Sequence, residues 1–377
     1  MNIAYLNSIV TDASKPGGHV HVTQVANNLL KHGHTLYTNL SNESEKFIRL
    51  NEGDFFNRGN ELDAFYIRIH GSAWNDELTK LRKANSAAPC IWEINAPLEE
   101  LRTRGISETE LYKLNIRRKK LAKMVDAAIC VSSEMEEYAR NFLGIDKTII
   151  IPNGSDPDMF KPQCDDPDMF DKQKFHVIWS GSTEYAWQGY NIVEAVAMRL
   201  SEIDKEILLV LTAEGKSTNN IAYLGRVSYQ AMPVYIASAD VGLCIYNKID
   251  FYPKFYFSPL KLYDYMASGL PIIGNDVGQI KYILEENRNG LLTNGVIDDI
   301  ADKIKYLKNN KVIASEMGMR SREAVVKKYN WERAVGEIEN LLNELIHRKK
   351  SKTSQDQINE TGLWHMTKAT IKRYINH

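Results

Sequence analysis

The chain has 377 residues, 44% of them apolar and 25% charged, and its 47 Lys and Arg against 48 Asp and Glu leave a formal net charge of -1. This composition fits a folded globular protein of two domains and offers no global positive field for a nucleic-acid partner. Four widely spaced cysteines (Cys90, Cys130, Cys164, Cys244) signal neither a zinc site nor a small disulfide framework. The opening MNIAYLNSIV reads as no secretory leader and no apolar run is long enough to span a bilayer, so the expected compartment is the reducing cytoplasm.

In chain order, short apolar runs predict buried parallel strands at 2–7, 34–39, 64–69, 90–95, 127–132 and 148–153. Between the first two, Val22, Val25, Ala26, Leu29 and Leu30 recur at helical spacing, and Gly33 stands where a helix would end. The preceding PGGHVH (16–21) sets a glycine pair between strand and helix, where backbone amides can approach an anion such as a diphosphate. A tight turn is the plain alternative. The pair is not the three-glycine dinucleotide fingerprint, and no acidic residue ends the second strand, which disfavours a nicotinamide enzyme. Further on, KLNIRRKKLAK (113–123) holds six basic residues and no acidic one.

Residues 154–175 are rich in Asp and Pro and contain DPDMF twice, at 156–160 and 166–170, which reads as a hinge with a local duplication. Strands are then predicted afresh at 176–181, 206–211, 239–246 and 270–275, alternating with helices at 190–203, 228–238, 259–268 and 298–309. The expected fold is α/β, with two Rossmann-like, doubly wound domains facing each other across a cleft. The boundaries are set at 1–155 for the first domain, 156–175 for the hinge and 176–345 for the second domain. A basic tail follows at 346–377, to be packed back on the first domain or laid on a membrane.

The segment FYFSPLKLYDYMASGLPIIGNDVG (255–278) carries the strongest chemistry. Ser258 before Pro259 predicts a helix start, with Ser258 capping free amides and the dipole pointing at whatever lies before it. Lys261 and Asp264, three apart, offer a cation for diphosphate oxygens and a carboxylate for ribose hydroxyls. A solvated ion pair is the plain reading of the same spacing.

Residues 258–275, with VIWSGSTEYAWQGYNIVEA (177–195), AYLGRV (222–227), VSSEM (131–135), IIPNGSDPDMFKP (150–162) and PGGHVH, resemble in order and spacing the motif series of family 4 glycosyltransferases of the GT-B fold over about residues 1–345. The resemblance implies a nucleoside-diphosphate-sugar donor bound in the second domain, a glycan or lipid-linked hydroxyl acceptor held mainly by the first, retention of anomeric configuration, and no metal or other cofactor. It places Asp264 at the ribose hydroxyls, the amides around Ser258, Leu260 and Lys261 at the diphosphate, and Gly18 opposite them. Tyr256 stands where the family has a Glu that contacts the donor sugar. Gln188 replaces a Lys that neutralises the diphosphate, so Lys261 and the helix dipole must supply more of the compensation, with Ser182 as an added donor. Arg226 is the next candidate for that compensation and would rather border the nucleobase, with a plain exposed Arg as the alternative. In WEINAP (92–97), Asn95 takes a position where many relatives have His, and would hydrogen-bond the sugar rather than act as a base. Glu93 would point into the core interface, and His19, His21 and His70 are acceptor-side candidates for which structural roles are the plainer reading.

The tail from 348 carries a net +5, and Trp364, Ile371, Tyr374 and Ile375 are interspersed near its end. Residues 113–123 and 363–377 are therefore read as an anionic-membrane docking surface on the inner face of the membrane, against a solvated helix face. The rival functions are a sugar-nucleotide epimerase or hydrolase on the same fold and a non-catalytic sugar-nucleotide sensor or scaffold.

Overall fold

The computed structural model of the chain describes residues 1–7, 16–40, 47–49, 58–69, 75–162, 171, 173–248 and 254–351. Cys164, His70, the second DPDMF copy and the tail segment 363–377 lie outside the described residues. The first domain is a seven-stranded parallel sheet in the order β3-β2-β1-β4-β5-β6-β7, formed by Phe47–Arg49, Thr35–Thr38, Asn2–Asn7, Ala64–Arg68, Cys90–Ile94, Ala127–Cys130 and Thr148–Ile150. The second is a six-stranded parallel sheet in the order β10-β9-β8-β11-β12-β13, formed by Ile221–Tyr223, Ile207–Leu211, Phe175–Trp179, Val241–Cys244, Ile272–Asn275 and Gly290–Thr293. The central strands are buried on both faces, as their unbroken apolar runs require. Two Rossmann-like α/β domains are thus present.

Helices cover both sheets. In the first domain they are α1 (Pro16–Lys31), α2 (Asn75–Ala84), α3 (Glu108–Ala122) and α4 (Ser133–Asn141). In the second they are α5 (Tyr190–Ile203), α6 (Met232–Ala237), α7 (Leu260–Ala267), α8 (Gly278–Ile283), α9 (Ile297–Asn309) and α10 (Lys311–Lys327). Gly33 adopts φ 86 just beyond α1, the left-handed conformation that ends a helix without a Cβ penalty.

The last helix, α11 (331–351), departs from the sequence reading. Trp331, Val335, Ile338, Leu342 and Leu345 are packed with Tyr5, Val25, Leu29 and Ile129, so residues 331–345 sit in the first domain's core although they follow the second. The chain crosses between domains a second time here, directly beside the first crossing. Ser155 N donates to Tyr329 O at 3.0 Å and Trp331 N to Ser155 O at 3.3 Å. The first DPDMF copy is likewise no free linker. Phe160 is fully buried in the second domain's core, and Arg322 donates to the Pro157, Phe160 and Ala267 carbonyls.

The basic run at 113–123 divides between surface and interior. Arg118 is buried, donates to Ala96 O at 2.8 Å and lies over the Trp92 and Tyr138 rings, so it leaves the candidate surface. Lys113, Arg117, Lys119, Lys120 and Lys123 remain outward, beside exposed Tyr112 and Ile116.

Candidate active site

In the second sheet the chain winds outward from β8 to β10, then begins again at β11 and winds the other way. The switch point lies between β8 and β11, and the carboxyl ends of the strands at such a point are where ligands bind in doubly wound sheets. α7 delivers Lys261 to that point. Its side chain is 9% exposed, and its Nζ lies 4.5 Å from the Trp179 ring centroid at the end of β8 and 4.9 Å from that of Tyr246 just past β11. Among the described residues the ammonium has no hydrogen-bond partner. Burial pulls its pKa down to about 8. Two ring faces attract the cation but satisfy none of its N–H donors, so the group is suited to an incoming anion.

Backbone lies close beside the ammonium at Gly181. A Cβ at Gly181 would meet the Trp179 ring at 2.6 Å and Lys261 Nζ at 3.0 Å, so glycine alone fits beside the ammonium without displacing it. Ser180 is pinned from α7, its N donating to Tyr265 OH at 2.7 Å, and Gly181 N donates to Thr212 Oγ1 at 2.9 Å. The helix thus carries Lys261 and also fixes the loop that faces it.

Asp264, one turn further along α7, is 6% exposed and accepts from Ser155 Oγ at 2.6 Å and Tyr229 OH at 3.5 Å. Burial raises its carboxyl to about 7, against these hydrogen bonds and with a push from Asp156. The solvated Lys261–Asp264 pair is therefore not what forms. Both groups are interior and each has its own surroundings.

Ser258 is corrected as a cap. The position before α7 is Pro259, with no side-chain cap bond. Ser258 Oγ instead lies 2.6 Å from Tyr263 OH and accepts from Asn153 N at 3.0 Å, and Asn153 Nδ2 donates to Ser258 O at 2.5 Å. The hydroxyl is turned to the first domain, which leaves the amides that open α7 without a serine on them. Leu260, half-buried, packs against the first domain's core.

The other predicted residues are placed as follows. Gly18 lies in the first turn of α1, half-buried. Ser182 Oγ accepts from Glu184 N at 3.2 Å. Gln188 ends a short helical turn, its Oε1 buried and without a partner among the described residues. Arg226 is exposed and paired with Glu184 at 3.0 Å. Asn95 follows β5, partly exposed. Tyr256 packs on the first domain, edge-on to Tyr138 at 6.2 Å, while its carbonyl accepts from Ser132 Oγ at 2.8 Å. It lines a cavity of about 440 Å³ with Glu99, Glu134, Glu137 and Lys254. Sequence reading missed the aromatic box of Trp179 and Tyr246, the Asp264 partners Ser155 and Tyr229, and the Asn153 link. The quoted segments VIWSG and IIPNGSDP contain Trp179, Asn153 and Ser155, but nothing in them says which way a side chain turns.

Residues 188–340 match the family described as glycosyl transferase-like. The poly(ribitol-phosphate) alpha-N-acetylglucosaminyltransferase of Staphylococcus aureus (strain COL) is 39% identical over 89 residues, 22% of this chain and 17% of that protein. The N-acetyl-alpha-D-glucosaminyl L-malate synthase of Bacillus anthracis is 25% identical over 173 residues, 43% of each. The chain thus spans less than half of the length of either relative. Among solved structures, Anabaena HepE in complex with UDP-glucose is superimposable at TM-score 0.65, with 14% identity, over 91% of this chain and 100% of that one. By its two parallel sheets and its superposition on such structures, the chain has the GT-B fold, and its residues 188–340 match the glycosyl transferase-like family.

Proposed function

We propose that this protein is a retaining, metal-independent glycosyltransferase of the family 4 type. It moves a sugar from a nucleoside-diphosphate sugar to a hydroxyl of a glycan or lipid-linked acceptor, in cell-surface polysaccharide or glycolipid assembly. The observation that carries this reading is the buried ammonium of Lys261 at the switch point of the second sheet, which has no hydrogen-bond partner among the described residues. The donor named for the HepE complex is UDP-glucose, and the Staphylococcus aureus relative is named for transfer to a phosphate polymer.

On this reading, Lys261 and the first amides of α7, around Ser258, Leu260 and Lys261, receive the diphosphate, with the Gly18 amide, Ser182 and Gln188 beside it. Asp264 takes the ribose hydroxyls and Arg226 borders the base. Asn95 and Tyr256 face the transferred sugar and acceptor. As the donor bond breaks, charge develops on the leaving oxygens, and a preformed, buried cation stabilises it without reorganisation. The acceptor attacks from the leaving-group face, its proton passing to a departing phosphate oxygen, so no protein base is required.

The test is transfer from UDP-, GDP-, ADP- and CMP-sugars to lipid and oligosaccharide acceptors, with and without EDTA. The expected result is an α-linked product from an α-linked donor, at a rate that EDTA leaves unchanged. Free sugar without acceptor transfer would make the protein a hydrolase, and binding without turnover would make it a sensor.

The exposed basic face of α3, with Tyr112 and Ile116, also supports docking on an anionic membrane surface. No described helix is long and apolar enough to cross a membrane. Flotation with anionic liposomes at low salt is expected to carry the protein upward, and its absence from the lipid layer would reject docking.

A further inference from the structure

A line of buried polar groups runs from the first sheet to the mouth of α7. Glu93 on β5 is fully enclosed. Its Oε1 is 3.0 Å from Arg68 Nε and 2.6 Å from His21 Nε2, and its Oε2 accepts from Tyr66 OH at 2.5 Å. Burial alone would push this carboxyl up, but His21, Arg68 and the Tyr66 hydroxyl together hold it down to about 2. On the other side of the imidazole, His21 Nδ1 lies 2.7 Å from Asn153 Oδ1. Asn153 then holds Ser258 through its backbone N and its Nδ2.

Each ring nitrogen of His21 therefore faces an oxygen, Nδ1 in a hydrogen bond with Asn153 Oδ1 and Nε2 in ion-pair contact with Glu93 Oε1 outside hydrogen-bond alignment. Glu93 is an ionised carboxylate and cannot donate. The Asn153 amide cannot turn over, because its oxygen would then face the Ser258 carbonyl oxygen at 2.5 Å. A neutral imidazole has one N–H and one lone pair and would set that lone pair against one of the two oxygens; the imidazolium sets a proton toward each, hydrogen-bonding Asn153 and countering the Glu93 charge. We infer that His21 carries a proton on both ring nitrogens and is a positioning residue, tying Ser258 and the phosphate end of α7 to the buried carboxylate of the first domain.

The groups around the ring agree. Asn153 arrives from the segment after β7, Arg68 and Tyr66 from β4 through Glu93, and Trp331 from α11 sets its ring edge-on to the imidazole at 5.1 Å. Arg68 answers one carboxylate charge, and His21 adds the second donor that crosses to Asn153. α1, which the proposed function places at the diphosphate through Gly18, thus also reaches the second domain's donor helix through His21. The inference rests on that function for what α7 holds, and not for the charge itself.

Two measurements test it. In ¹⁵N-histidine-labelled full-length protein without ligand at pH 7.5, the signal lost in His21→Gln is expected to be an imidazolium, with both ring nitrogens protonated. A neutral tautomer at that position would overturn the charge assignment. Asn153→Asp keeps an acceptor toward His21 but replaces the donor to Ser258 with an oxygen. Both His21→Gln and Asn153→Asp are expected to weaken, about tenfold, whichever of UDP-glucose, GDP-mannose, ADP-glucose or CMP-sialic acid binds the wild type, with the melting transition kept. Wild-type affinity in Asn153→Asp would overturn the positioning role. If the wild type binds none of the four, the donor reading fails, while the nitrogen signals still decide the charge.

Discussion

At the scale of single residues, Lys261 has an unusual combination of burial, aromatic neighbours and unused donors. An anion binds its charged form, and burial lowers its pKa to about 8 in the free protein. Nucleotide-sugar affinity is therefore expected to be level below pH 8 and to fall up to tenfold per unit above it, as the free site loses its proton. Isothermal titration across pH 6.5–9.5 checks this; affinity independent of pH would remove Lys261 from the phosphate site. Lys261→Ala should cost about 1.5–3 kcal/mol of donor binding with the fold intact. Asp264 behaves oppositely. Its carboxyl is raised to about 7 by burial, so the folded state holds that proton more tightly than the unfolded chain does, and stability from the neutral form is lost as pH climbs from about 4 through 7. Asp264→Asn is expected to raise the melting temperature at pH 8 while weakening donor binding; an unchanged or lower melting temperature counts against the buried, raised carboxyl.

At the scale of elements, α7 does three jobs: it places Lys261, places Asp264 and, through Tyr265, fixes the loop after β8. Its far end is set by α10, where Gly318 crosses so closely that a Cβ would lie 1.9 Å from Gly269 O, a backbone atom. Gly318→Ala is expected to destabilise the fold by about 1–3 kcal/mol through overpacking, read as a drop in denaturant midpoint. A neutral result would mean that the crossing gives way. Much of this level was legible in the chain: α5 occupies 190–203 as the periodicity predicts, and α7 begins one residue after Pro259 and ends two before Gly269. The strands Phe47–Arg49 and Gly290–Thr293 were not, because each holds only two consecutive large apolar residues, followed by Arg49 in one and bounded by Gly290 and Thr293 in the other. The site was legible where chemistry lies on one helix and illegible where it is assembled from afar. His21 and Asn153 are 132 positions apart, and Ser258, a good cap by composition, was recruited by a more distant partner.

For the whole molecule, α11 decides how the halves are joined. It is latched to the first domain by Glu339, which accepts from His32 at 2.9 Å and also meets His34, and by Lys147 with Glu344. The Glu339 hydrogen bond, helped by Glu332, raises His32, a stabilisation that is complete below its ordinary value near 6.5 and is lost as pH rises through the raised one. Burial opposes, but His32 and His34 still lower Glu339, so its share is complete above about 4.5 and is lost as pH falls through the lowered value. The latch should be tightest between about pH 4.5 and 6.5. Hydrogen exchange in 331–351, corrected for intrinsic rate, is expected to show most protection near pH 5.5 and less at pH 8, and a flat profile would reject the latch.

The side-by-side passage of the chain at Ser155 and Asn330 has a mechanical consequence. Two covalent tethers lying against each other, with Gly154 so near Asn330 that a Cβ would sit 2.8 Å from its carbonyl carbon, behave as a single pivot. Swinging about that pivot strains neither tether, whereas sliding one lobe along the other would pull them out of register. Spin labels on the two lobes should accordingly trace an arc whose radius grows with distance from Ser155.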